Sequence, residues 1–200
     1  MSLPHHRRVL MQLVIAGAVL ASGVACKGSE SEPSRVDPHA AVLADFANRV
    51  DAYVALRNQL ADSVGELDPT KSQAEIATRA AALGNAIMVR RAGAKQGDLF
   101  TPEVSTVLAT LIKEEYSRRS EPVQETREDQ QEELPDFVPR VNQIYPTTYP
   151  LATFPPALLP LLPALPKEVE YRIAQNYLIL RDIEANLILD FMPNAVPTGG

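Results

Sequence analysis

Asp182, Glu184 and Asp190 form the densest local group of residues in this chain whose types and spacing suit acid–base chemistry. Paired carboxylates act as general acid and base in glycoside cleavage, and carboxylate oxygens also hold calcium. Residues two apart on a strand share a face, which makes Asp182 and Glu184 the nominated pair of a carboxylate-dependent hydrolase. The competing reading makes them the solvated side of a hairpin turn. No glycine-containing calcium loop surrounds them, and a sugar site would lack tryptophan walls because the chain contains no tryptophan.

Other chemistries are short of residues. Cys26 is the only cysteine, and the histidines are His5, His6 and His39. If residues 1–25 are removed as an export signal, His39 is the last histidine and Cys26 is either lipidated or solitary, so a Cys/His zinc cluster, a Cys-His dyad or a Ser-His-Asp triad partnered by a core histidine is not easily built. His39 itself follows Asp37-Pro38, a helix start, and reads as a solvated first-turn residue. No GxGxxG, GxxxxGK[ST] or HExxH occurs. Neither a cofactor nor a metal is expected. Removal of residues 1–25 also takes Arg7 and Arg8, which leaves 17 basic against 25 acidic residues, a formal balance of −8. Nucleic-acid phosphates need clustered Lys and Arg, so nucleic acid is not an expected partner.

The address is more specific. His5-His6-Arg7-Arg8 precedes an apolar run from Val9 to Ala25 interrupted by Gln12 and Ser22, the layout of a secretory signal and somewhat short for a spanning helix. Gly23-Val24-Ala25 suits an ordinary signal peptidase. Leu20 to Cys26 also resembles the lipobox of bacterial lipoproteins, departing from it at Gly23, where that family usually has leucine. The resemblance implies a diacylglyceryl group on the Cys26 sulfur and a new N-terminus at its amine. Lys27 to Ser34, KGSESEPS, is polar and without apolar periodicity, as a tether is. Arg7-Arg8-Val9-Leu10-Met11 weakly resembles a twin-arginine signal.

The elements that must position any site follow from the apolar spacing. Asp37 as N-cap with Pro38 at the first helical position opens a helix whose stripe is Leu43, Phe46, Val50, Tyr53, Arg57, Leu60 and Val64, interrupted at Arg57. Gly65 to Pro69 stops it. Ser72-Gln73-Ala74-Glu75 has capping-box spacing ahead of a second helix with Ile76, Ala80, Leu83 and Ile87 inward and a run of alanines suited to close helix approach. Thr101-Pro102-Glu103 opens a third, with Val104, Val107, Leu108, Leu111, Ile112 and Tyr116 on its apolar face.

Beyond Arg118 the chain turns acidic, then proline-rich. Pro160, Pro163 and Pro166 stand every third residue, the repeat of a polyproline II helix; it suits a ligand for an aromatic-lined groove, but the leucines between the prolines favour a strap laid on the protein's own helices. Val169 to Leu180 alternates and turns at Gln175-Asn176, predicting a hairpin; residues 183–191 suit either a third strand or a terminal helix. These residues and Gly97 to Val104 look like segments of uncharacterised secreted bacterial proteins, a resemblance that implies no activity.

The expected fold is α+β, mainly α: a signal over 1–25, a tether over 26–36, an antiparallel three-helix bundle over 37–119, an acidic linker over 120–134, a Pro-rich strap over 135–166 and a β-hairpin or meander over 167–200. The expected function is an exported, membrane-tethered, non-catalytic envelope protein, lipid-anchored at Cys26 and facing the periplasm or cell exterior. It binds or supports another envelope component. The alternatives are the carboxylate hydrolase and a small-ligand site among Phe46, Tyr53, Leu83 and Leu111.

Overall fold

The computed structural model describes residues 38–65, 72–118, 137–146 and 156–196. The expected signal, Cys26, the tether, the Asp37 cap and the acidic linker lie outside the described residues. The fold is α+β: helices α1 (Pro38–Val64), α2 (Gln73–Arg90) and α3 (Pro102–Ser117), a 3₁₀ turn at Leu159–Leu161, and strands β1 (Val169–Ala174), β2 (Tyr177–Asp182) and β3 (Leu187–Met192).

Local chemistry explains the helix ends. Gly65 adopts φ 91° and its N–H donates to the Ala61 and Asp62 carbonyls at 3.2 and 3.3 Å, a left-handed stop that costs glycine little. Ser72 Oγ accepts from Glu75 N–H at 3.4 Å, and Thr101 Oγ1 accepts from Val104 N–H at 3.3 Å with proline in the first turn of α3. α1 packs against both α2 and α3.

The sheet is antiparallel in the order β1-β2-β3. Residues 183–191, open to two readings from sequence, form a turn followed by β3. Ala174 pairs with Tyr177 across Gln175 and Asn176, with Gln175 at φ 52°. Because strand side chains alternate, the sheet has two distinct covers. Tyr171, Leu178, Leu180, Leu187 and Leu189 join Phe46, Leu83, Val104 and Leu108 of the helices in one core, with the Phe46 ring stacked 5.4 Å from Phe100. Ala174, Ile179 and Ile188 on the reverse face pack with Phe137 and Tyr145. Residues 142–145 are bound to the β3 edge through Asn142 N–H to Ile188 O and Ile188 N–H to Gln143 O, both at 2.8 Å. Burial on both faces is why β2 reads as a nearly unbroken apolar run.

A register shift at Leu180/Arg181 pairs Arg181 with Ile188 but Leu180 with Asp190, so Leu189 and Asp190 together oppose Leu180. Strict alternation from Leu187 would send Asp190 to the reverse face. The bulge brings it to the helix side instead.

Three local expectations are corrected. Ile76 is exposed and the close approach to α2 is made at Gly84, where an added Cβ would stand 3.4 Å from the Ala185 carbonyl oxygen. Ala74, Ala77, Ala81 and Ala82 face outward. Around Pro160 the backbone forms a 3₁₀ turn rather than starting a polyproline repeat, because proline's fixed φ suits the first positions of a helical turn equally well. Leu158 and Leu162, either side of that turn, are in the main core.

Candidate functional site

The nominated carboxylates meet α1 at one guanidinium. Arg57, the charged interruption of the α1 stripe, sits among core residues because its helix position points there. Its Nε lies 3.4 Å from Asp182 Oδ2, and its terminal nitrogen donates to Glu184 Oε2. Tyr53, one turn earlier, donates its hydroxyl to Asp182 Oδ2 at 2.7 Å. The other carboxylate oxygen, Oδ1, accepts from Ala185 N–H at 2.8 Å and so closes the β2–β3 turn. Arg79 of α2 pairs with Glu184 Oε1 and donates through Nε to the Gly65 carbonyl at 3.0 Å. Two arginines and two carboxylates thus form a neutral group that joins α1, α2 and the β2–β3 turn.

Asp182 is not on the wet side of the hairpin: its side chain is 0% exposed, whereas that of Glu184 is 37% exposed. Burial and the neighbouring Asp182 charge push the Tyr53 hydroxyl far above the ordinary tyrosine range, so it remains a donor. The group is chemically self-satisfied. A general acid must present a carboxyl oxygen to a substrate, and Asp182 presents none to solvent.

Asp190, the third member of the sequence cluster, belongs to a different set. Its carboxylate, also without exposed surface, accepts from Gly97 N–H at 2.9 Å, from Leu99 and Phe100 N–H at 2.8 Å each, and from Phe191 N–H at 2.8 Å. The connection between α2 and α3 is therefore wrapped on a strand side chain. Burial pushes Asp190 above the usual carboxylate value, against the lowering effect of those four amides. Beside it Arg91 lies over the Tyr53 ring at 5.3 Å and donates to the Leu189 carbonyl at 2.9 Å and to Asn142 Oδ1 at 3.2 Å. Asn142 Nδ2 returns a bond to the Arg91 carbonyl at 2.7 Å. Burial holds the Arg91 guanidinium below its ordinary value.

On the reverse face Glu170 accepts from Arg172 at 2.7 and 2.6 Å and from Arg181, which lies over the Tyr145 ring at 5.6 Å. Arg181 Nε also donates to Asn186 Oδ1 at 2.8 Å. His39 is an exposed residue in the first turn of α1. Of the small-ligand candidates, Phe46, Tyr53 and Leu83 are buried within the continuous core and Leu111 packs against it from a partly buried position.

Sequence reasoning missed Tyr53, Arg57, Arg79 and Arg91 as partners. The available signal was Arg57 itself: a charge on an otherwise apolar helix stripe needs a buried counter-charge. Among the described residues no group of three His, Cys, Asp or Glu is arranged to hold a metal ion, and no helix is long and apolar enough to cross a membrane. No protein-family model, curated protein or solved structure matches this chain.

Proposed function

We propose that this is an exported envelope protein, tethered to a membrane by a lipid on Cys26 and facing the periplasm or cell exterior, whose folded part is a non-catalytic binding or scaffold module for another envelope component. The observation that carries the non-catalytic reading is the engagement of the nominated carboxylates: Asp182 with Tyr53, Arg57 and Ala185, and Glu184 with Arg57 and Arg79. The anchor is supported by Leu20 to Cys26 and the polar stretch after it. In the same proposal the helices form an antiparallel three-helix bundle and residues 135–166 are a strap laid against those helices, covering a bundle face. The packing of α1 on α2 and α3, and the burial of Leu158 and Leu162 in the core that the helices share, support it.

Intact-mass spectrometry of the mature protein taken from its native membrane tests the anchor. The expected species begins at Cys26 and carries the mass of a diacylglyceryl group, and Cys26→Ser abolishes both the lipid and membrane retention. A free Cys26 start or an unprocessed N-terminus overturns it. Turnover of a glycoside that is lost in Glu184→Gln at unchanged stability overturns the non-catalytic reading.

A further inference from the structure

We draw no further inference here: the strongest candidate, the open recess of about 420 Å³ between the end of α1 and the start of α2 lined by Val64, Gly65, Thr78, Arg79 and Ala82, carries nothing, because Thr78 and Arg79 are already bonded within the chain and nothing in the structure shows what occupies it.

Discussion

Replacing Asp182 with alanine is expected to loosen the β2–β3 turn from α1 more than any other single change in that group. Its side chain has no exposed surface and accepts from Tyr53 at 2.7 Å, from Ala185 N–H at 2.8 Å and from Arg57 at 3.4 Å. Hydrogen bonds to charged groups contribute about 1.5–3 kcal/mol each, and removing one partner of a buried ion pair costs about 3–5 kcal/mol because the other charge is left uncompensated. Arg57 keeps Glu184 as a partner, which sets the expected loss near the lower end, about 3 kcal/mol. In a domain of this size that lowers the thermal midpoint by roughly 6–12 °C. Glu184, with a side chain 37% exposed, is screened by solvent, and Glu184→Ala costs only about 1 kcal/mol. Urea melts with an unchanged m-value are the assay, since a changed slope signals an altered end state. A Tyr53→Phe/Asp182→Asn cycle adds a coupling of about 1 kcal/mol between the two contacting groups. This role of Asp182 is refuted if Asp182→Ala stays within about 0.5 kcal/mol of wild type, the range of ordinary surface changes. It is equally refuted if Glu184→Ala costs as much as Asp182→Ala.

Asp190→Ala leaves the Gly97, Leu99 and Phe100 amides without their acceptor, so hydrogen exchange at those three positions should accelerate well beyond that of β2; unchanged protection would refute the role. Because burial raises the Asp190 pKa in the folded state, its contribution to stability is present below the unfolded value of about 4 and is lost as pH rises through the folded value. Urea melts across that window should show the loss in wild type and not in Asp190→Asn. Gly84→Ala should raise stability by up to about 1 kcal/mol, because a helix-interior alanine is favoured over glycine and the new Cβ meets the Ala185 oxygen at 3.4 Å without overlap; a net loss in thermal melts would show that this contact cannot give. A chain ending at Arg118 lacks Asp182, Asp190 and the sheet half of the core, and its thermal melt should show no cooperative transition, whereas a sharp one would establish the helices as an independent unit.

Period and punctuation made the helices and the hairpin legible in the sequence. Apolar steps of three and four residues, with Ser72, Pro102 and Gly65 at the ends, describe structure held by hydrogen bonds between near neighbours, and that information is local. The Gln175-Asn176 turn was legible for the same reason. Residues 183–191 were not, because a short apolar run suits both periods and only pairing with β2 selects the strand. The fate of the carboxylates was still less visible. Asp182 and Asp190 are buried acceptors because Tyr53 and Arg57 lie 129 and 125 residues before Asp182, and Gly97 lies 93 residues before Asp190. A residue's spacing along a strand sets which face it takes, but the partners waiting on that face are set by packing between distant segments. A one-residue bulge then reverses the face itself for Asp190. Local spacing and punctuation thus suffice for the three helices and the hairpin and nominate Cys26 as an anchor, whereas packing between distant segments selects β3 and settles which charges hold the fold, since a buried charge persists only where distant backbone and side chains compensate it.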